Sequence, residues 1–199
     1  MKKIIISAIL AVQIFMIFSV SAATHTVVKG DSMWKIAVKH QVGISEIKEA
    51  NPQIQNPNLI YPGQIINIPD KDMNVQEFEN EVVRLVNEIR VKNGLNKLTA
   101  DWELSRVARY KSRDMSENKY FSHNSPVYGT PFQMIKNFGI SYRAAAENIA
   151  KGQSTPQAVV NAWMNSSGHR ANILNANYNK IGVGYEPNGK YWTQMFIKQ

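Results

Sequence analysis

The chain has 199 residues, 44% apolar and 19% charged, an ordinary globular composition with room for one typical domain and a small one. Its formal net charge of +8 at pH 7 comes from scattered basic residues, so we expect attraction to an anionic cell envelope and no nucleic-acid partner. Because cysteine is absent, disulfides, thiolate nucleophiles and zinc–thiolate sites are excluded.

The N-terminal segment, residues 1–23, is typical of a signal peptide. Two lysines precede an apolar run from Ile4 to Val20, and the small residues "SAA" follow it. A retained membrane anchor is the alternative, but the run is shorter than the ~20 residues that span a bilayer. We therefore predict export and a mature protein that faces the outside of the cell.

The next segment, residues 24–69, changes its hydrophobic period several times. A β-type run over residues 25–28 leads through a polar turn into apolar positions at helical spacing, among which we expect Trp34 to pack. A second helix is predicted over Ser45–Ala50, with Ser45 as its cap, and a strand over residues 65–68 should pair with the first. The pattern predicts a small βααβ module.

This module resembles a LysM domain. The resemblance rests on "VVKGDSMWKIA", on "NP" after the second helix and on "LIYPGQIINIP", in the family's order. It implies binding of N-acetylglucosamine-containing glycans, chiefly peptidoglycan or chitin, in a groove between the loop after the first strand and the loop before the last. The matching positions are Gly30, Asp31, Ser32, Met33, Asn58, Leu59, Ile60, Tyr61 and Pro62.

These two loops have the chemistry of a sugar site. Turn-rich loops expose backbone N–H and C=O groups that can pair with acetamido groups, while Leu59, Ile60 and Tyr61 offer apolar area to sugar faces. A single groove predicts modest affinity and retention at the wall rather than firm anchoring.

After a polar linker over residues 70–76, helical spacing resumes and continues into an α+β pattern. Apolar positions from Phe78 predict one helix, "LTADWELSRVARYKSRDMSEN" predicts a second, and Thr155 can cap a third that begins at Pro156. Three strands are predicted, of which the last two are joined by an Asn-Gly hairpin. These strands cover Glu147–Ala150, Ile181–Tyr185 and Tyr191–Ile197.

Residues 77–199 resemble the CAP superfamily, also called SCP-like domains (cysteine-rich secretory proteins, antigen 5, pathogenesis-related proteins), in its bacterial form. The motifs are "YFSHNSP", "AENIA", "AWMNSSGHRANIL", "IGVGY" and "YWTQMF". The resemblance implies an α-β-α sandwich with a small antiparallel sheet, so the whole chain is expected to be α+β. Signal peptide, LysM and CAP in this order also resemble secreted cell-wall and spore-associated proteins.

The family resemblance assigns a candidate site around His123, which matches the first cleft histidine, with Glu147 as the first glutamate. The second cleft glutamate and the second cleft histidine of the family are missing from this chain, because Ser166 and Tyr191 occupy the corresponding positions. We expect His169 of the "SGHRANIL" motif to join the cleft instead. Neighbouring cleft candidates are Ser125, Asn148 and Arg170.

This cleft is open to several interpretations. His123 and His169 could bind zinc or another divalent metal, with Glu147 as general base of a cell-wall hydrolase or peptidase. The same groups could form a hydrogen-bonded network lining a ligand cleft, which we favour. CAP domains are proposed to bind lipids or other small ligands or to act as proteases, and fold alone does not choose between these.

The hypothesis that we favour is a secreted protein of the cell wall or spore envelope that binds peptidoglycan through LysM. Its CAP cleft would receive a small-molecule or lipid ligand or a protein partner. The alternatives are the metal-dependent hydrolase and a purely structural coat component without a working cleft. We assign no catalytic residue, because no G-x-S-x-G, H-E-x-x-H or paired-carboxylate signature is present.

Overall fold

The computed structural model describes residues 23–70 and 72–199, so all but the last residue of the predicted signal peptide lies outside it. Within the described part of the chain, no helix has the length and apolarity needed to cross a membrane. The elements in chain order are β1 (Thr24–Thr26), α1 (Met33–His40), α2 (Ile44–Glu49), β2 (Ile65–Asn67), α3 (Met73–Lys92), β3 (Thr99–Ala100), α4 (Trp102–Glu117), α5 (Pro131–Asn137), β4 (Ala144–Lys151), α6 (Pro156–Asn165), α7 (Ser167–Ile173), β5 (Lys180–Glu186) and β6 (Tyr191–Lys198).

The N-terminal module is the expected βααβ unit. β1 and β2 pair antiparallel, with His25 opposite Ile66, and both helices pack against this pair. Burying each large apolar side chain stabilises the module by roughly 1.5–3 kcal/mol before the entropy cost of ordering the chain. Its core consists of Val27, Met33, Ile36, Ala37, Val42, Ile47, Ile54, Ile66 and Ile68.

Three expectations for this module are wrong in detail. Ser32 caps α1 by accepting from the Lys35 N–H, so the helix begins at Met33 and helical spacing turns Met33 inward. Trp34, which we expected to pack, consequently points outward and is 61% exposed. The second helix starts at Ile44, and Ser45 donates to the Glu46 carboxylate instead of capping it.

The C-terminal module is an α-β-α sandwich around a four-stranded sheet ordered β3-β5-β6-β4. β4, β6 and β5 are antiparallel neighbours, and the short β3 pairs parallel to β5. One face of the sheet packs against α3, α6 and α7, with Trp163 and Trp192 at the centre of that core. The other face packs against α4 and α5, with Leu104 and Met195 in the second core.

The "IGVGY" motif places two glycines where α4 crosses β5. A Cβ atom at Gly184 would lie 2.1 Å from the carbonyl carbon of Ala108 and 2.1 Å from the nitrogen of Arg109. At Gly182 the closest backbone atom, the carbonyl carbon of Leu104, would be 2.4 Å away. The missing side chains therefore let the helix backbone lie directly on the strand, and this close approach positions α4 relative to the sheet.

The predicted boundaries of the C-terminal module differ from the observed ones. Helix α3 already begins at Met73, because Asp72 accepts hydrogen bonds from the N–H groups of the next turn, so helix occupies part of the predicted linker 70–76. All three predicted strands are present, β4 twice as long as predicted and β5 and β6 one or two residues longer, and Thr155 caps α6 as expected. β3, α5 and α7 were not predicted, since seven residues or fewer carry little periodic signal.

A side chain of α4 joins the two modules. Arg106 donates to both carboxylate oxygens of Glu46 on α2, at 2.6 and 2.9 Å, and to the Ser45 hydroxyl at 2.7 Å. Gly43 lies directly beneath this contact, where a Cβ atom would come within 2.2 Å of the Arg106 Nε. A cavity of about 270 Å³ lies beside it and is lined by both modules.

Glu79 of α3 makes the stability of the C-terminal module depend on pH. Its buried carboxylate accepts from the Arg109 guanidinium at 2.9 Å and from the Tyr185 N–H at 3.1 Å. Burial nevertheless raises the pKa of Glu79 from 4.5 to about 7, against the lowering effect of Arg109. Between these two values the folded state keeps a proton that the unfolded chain has released, so the free energy of unfolding falls as pH rises through this window.

We expect the wild type to lose about 2 kcal/mol of unfolding free energy from this group between about pH 4.5 and about pH 7. A Glu79→Gln variant lacks the titrating group, so its unfolding free energy should not show this pH-dependent decrease. Urea denaturation of both proteins across that range measures the difference. Parallel pH profiles for the two proteins would show that Glu79 is ionised throughout and that the assigned shift is wrong.

Candidate functional site

The candidate site of the C-terminal module is built on a pair of side chains from a loop and an edge strand. The Nδ1 of His123, in the loop between α4 and α5, lies 2.7 Å from the Oε1 of Glu147 on β4. The glutamate side chain is 1% exposed, whereas the histidine side chain is 52% exposed. Burial raises the pKa of Glu147, while the hydrogen bond with His123 and the positive charge of Lys111 lower it. The pair therefore joins a buried carboxylate to an imidazole that solvent and ligands can reach.

A buried polar network under the loop holds His123 in place. Lys111 of α4 is fully buried and donates to the His123 carbonyl at 2.8 Å and to the Tyr120 hydroxyl at 3.0 Å. The Tyr120 hydroxyl in turn donates to the carboxylate of Asp114. Burial raises the pKa of Tyr120, which keeps the phenol protonated as a donor. Three polar side chains of the helix and loop thus fix the backbone that carries the histidine.

Ser125 supports the same loop rather than facing a ligand. It is buried, and its hydroxyl donates to Asp114 at 2.7 Å while accepting from the N–H groups of Val127 and Tyr128. Its backbone also forms a two-way bridge with Gly129. The predicted cleft role of Ser125 is therefore replaced by a structural one, and its hydroxyl is not held by a histidine as a nucleophile would be.

Asn148 connects the sheet to α7 and brings His169 to the site. Its side-chain amide donates to the His169 carbonyl at 3.1 Å and to Gln194 at 3.0 Å, and its oxygen accepts from Asn172 at 2.8 Å. Burial and then the charge of His123 lower the pKa of His169, so the two imidazoles lie within electrostatic reach of each other.

Arg170 does not join the pair. Its side chain is exposed and donates to the Met164 carbonyl at 2.8 Å, at the end of α6. Its contact fits a helix C-terminus, where a cation complements the unpaired carbonyl groups. The structure therefore places the predicted Arg170 beside the site as a helix-end contact.

The donor set does not fit a catalytic zinc centre. The described residues contain no group of three or more histidine, cysteine, aspartate or glutamate side chains that could hold a metal ion. His123 and His169 would supply one nitrogen ligand each, where catalytic zinc sites have three protein ligands. The alternative that His123 and His169 ligate a metal therefore lacks its third ligand in this part of the chain.

Sequence reasoning missed Lys111, Asp114 and Tyr120. Lys111 and Asp114 lie one helical turn apart on the buried side of α4, next to Val107 and Met115. A charged pair on an otherwise apolar helix face could have indicated a buried network, because such groups are rarely buried without partners. Glu147 Oε2 and Gln194 Nε2 remain buried without a protein partner.

The candidate groove of the N-terminal module lies between two loops whose backbones are held by hydrogen bonds. Asp31 accepts from the Val28 N–H at 3.0 Å and lies 2.9 Å from the Nε2 of the buried His25, and the hydrogen bond with His25 lowers the pKa of Asp31. The N–H of Gly63, in the second loop, donates to the Val27 carbonyl at 2.9 Å. These contacts hold both walls of the groove to the β1–β2 pair.

The side chains predicted to line the groove divide by exposure. Leu59 and Tyr61 are 57% and 64% exposed, and Ile60 packs partly against the module's core. Met33 is 4% exposed and belongs to that core, so its predicted role in the groove is limited to its backbone. The remaining predicted positions, Gly30, Asp31, Ser32, Asn58 and Pro62, are partly or fully exposed.

Both modules match known families. Residues 25–69 match the LysM domain, and residues 83–196 match CAP, the cysteine-rich secretory protein family. The protein YkwD of Bacillus subtilis (strain 168) is 58% identical over 123 residues, which cover 62% of this chain and 48% of YkwD. SpoIVD-associated factor A of the same strain is 47% identical over 53 residues, covering 27% of this chain and 14% of that protein.

The fold has a solved counterpart. The crystal structure of an extracellular protein containing an SCP domain from Bacillus anthracis str. Ames matches with a TM-score of 0.60 and 35% identity, covering 69% of this chain and 47% of the other. This chain therefore spans about half, or less, of the length of the relatives it matches. Because the family match extends over more than half of its residues, the chain belongs to the CAP (cysteine-rich secretory protein) family, and its CAP domain is preceded by a LysM domain.

Proposed function

We propose that this protein is a secreted cell-envelope protein whose LysM domain binds N-acetylglucosamine-containing glycan, in the first place peptidoglycan, and whose CAP domain presents the His123–Glu147 site to a ligand. The LysM family match supports the glycan. The extracellular relative with an SCP domain supports the location outside the cell. The name of SpoIVD-associated factor A supports spore association as a narrower form of the same proposal.

The observation that carries the glycan proposal is the exposure of Leu59 and Tyr61 on a loop with a fixed backbone. The Tyr61 N–H donates to the Gln64 side chain at 3.1 Å, and the Asn58 N–H donates to Asn56 at 3.0 Å. Exposed apolar side chains on an ordered turn lose little entropy when a sugar face packs on them. Nothing in the core of the module requires these two side chains to be large.

We therefore expect a Leu59→Ala, Tyr61→Ala double variant to be retained on purified peptidoglycan at least about fivefold less than the wild type, a loss of about 1 kcal/mol. Co-sedimentation measures the retention. Val91→Ala is the matched control, because Val91 is a 51% exposed apolar residue on α3 of the CAP domain. Equal retention of the double variant and the wild type would remove this loop from the glycan site.

The CAP site supports binding better than catalysis. The His123 imidazole has one ring nitrogen held by a carboxylate, and its side chain is 52% exposed, which suits a hydrogen bond with a ligand. The Ser125 hydroxyl, a candidate nucleophile, donates to Asp114 and is not activated by a histidine. We therefore propose a small-molecule, lipid or protein partner and do not carry the metal-dependent hydrolase forward.

A further inference from the structure

We propose that the CAP domain carries a docking surface for the LysM domain, and that this docking makes the two domains move as a single rigid body. The surface consists of Arg106 and Tyr110 of α4 and of Phe138 at the end of α5. Its partner is the start of α2, from Gly43 to Glu46. This inference goes beyond the proposed function, because it holds whichever ligands the two domains bind.

The contact brings a guanidinium group against a helix start that lacks a side chain. Arg106 donates to both carboxylate oxygens of Glu46 and to the Ser45 hydroxyl, and the two charged side chains are 19% and 23% exposed. A planar guanidinium that makes two hydrogen bonds with one carboxylate defines both their distance and their direction. Gly43 is buried beside this pair, and a Cβ atom there would lie 2.0 Å from the Glu46 Oε2 and 2.2 Å from the Arg106 Nε. The absence of a side chain at Gly43 therefore leaves the space that the ion pair occupies.

Two aromatic rings of the CAP domain hold the Arg106 guanidinium in place. Tyr110 follows Arg106 by one turn of α4, and the Cζ of Arg106 lies 5.3 Å from the centroid of its ring. The same Cζ lies 5.1 Å from the centroid of Phe138, whose ring packs against that of Tyr110 with centroids 5.2 Å apart. A guanidinium that already rests on two rings loses less conformational freedom when it pairs with a carboxylate. Fully exposed ion pairs lack such support and contribute little.

The short connection between the two domains also favours docking. Ile68 belongs to the core of the LysM domain and Asp72 caps α3, so only three residues, 69–71, separate these two positions. Such a tether keeps the facing surfaces at a high effective concentration, so docking costs little translational entropy. Small polar contacts between domains usually permit relative motion. Here the short tether and the supported arginine together favour the docked state.

The test is backbone amide NMR relaxation of the full chain, which gives a rotational correlation time for each domain. In the wild type the two times should agree, because a rigid body tumbles as a unit. Gly43→Ala keeps every charge and suits the extended backbone at this position, but it puts a methyl group where the ion pair lies. The ends of the two flexible side chains should turn away, so both domains stay folded and the LysM domain tumbles at least about 1.5-fold faster than the CAP domain. Arg106→Glu, which places two carboxylates together, should have the same effect.

Gly168→Ala is the matched control, since a Cβ atom at Gly168 meets nothing within 4 Å, and its two correlation times should stay equal. Different correlation times for the two domains of the wild type would overturn the proposal, whether or not any variant folds. Equal times in a folded Gly43→Ala or Arg106→Glu protein would also overturn it. Because neither a glycan nor a ligand of the CAP site is added, failure of the proposed function would not affect this readout.

Discussion

Replacing Gly184 by alanine should destabilise the CAP domain by about 3 kcal/mol, at the upper end of what overpacking in a core costs. The added methyl group would overlap the backbone of α4 at Ala108 and Arg109, which cannot move aside like the end of a flexible side chain. The helix would have to shift away from β5, and with it Lys111, which lies on the same helix. Urea denaturation followed through the CAP-domain transition measures the loss.

Gly168→Ala is the matched control for this prediction. Gly168 lies in α7, and a Cβ atom there would meet nothing within 4 Å. Alanine should be neutral or stabilising by a few tenths of a kcal/mol at this position, because it favours helix more than glycine does. If the two alanine variants were equally stable, the close approach of α4 to β5 would not exist as described.

Replacing Arg90 by methionine should cost about 3 kcal/mol, because three backbone carbonyls would lose their donor. Arg90 of α3 is 1% exposed and donates to the carbonyls of Asn96, Ile173 and Asn175, at 2.7 to 2.9 Å. It therefore joins α3 to the end of α7 and the turn that follows. Methionine matches much of its length and apolar stem but leaves these carbonyls without their donor.

Arg84→Met on the same helix is the control, since Arg84 is 52% exposed and pairs with Glu81 and Glu88 on the surface. Exposed ion pairs contribute about 0–1 kcal/mol, so this variant should unfold close to the wild-type denaturant concentration. A loss for Arg90→Met no larger than that for Arg84→Met would mean that water satisfies the three carbonyls.

The spaced motifs were sufficient to predict both domains and the central pair of the candidate site. "YFSHNSP" and "AENIA" each carry one member of the His123–Glu147 pair, and the pairing of β4 with β6 positions the second motif. The buried polar network that holds this pair in place could not be predicted. Whether Lys111 is solvated or buried depends on how α4 docks on the sheet, which no local pattern of charge reveals.

In the groove of the LysM domain, sequence alone was likewise insufficient to predict which of two adjacent side chains is buried. Met33 and Trp34 are adjacent apolar residues, and periodicity alone does not say which of them faces the core. The Ser32 cap decides this by setting the first residue of α1, so Met33 is buried and Trp34 is exposed. The first residue of α1 therefore determines which of the two neighbouring side chains lies in the core and which lies at the surface.

The most direct measurement of the central claim is a calorimetric titration of the full chain with a neutral oligomer of N-acetylglucosamine. A single groove built from Asp31, Leu59 and Tyr61 should give saturable binding with one site per chain and a Kd on the order of 10⁻⁴ M. The corresponding glucose oligomer lacks the acetamido groups and should bind at least about tenfold more weakly. No heat of binding with the acetylated oligomer, or equal affinity for both sugars, would contradict the assignment of this domain as the glycan-binding part of the protein.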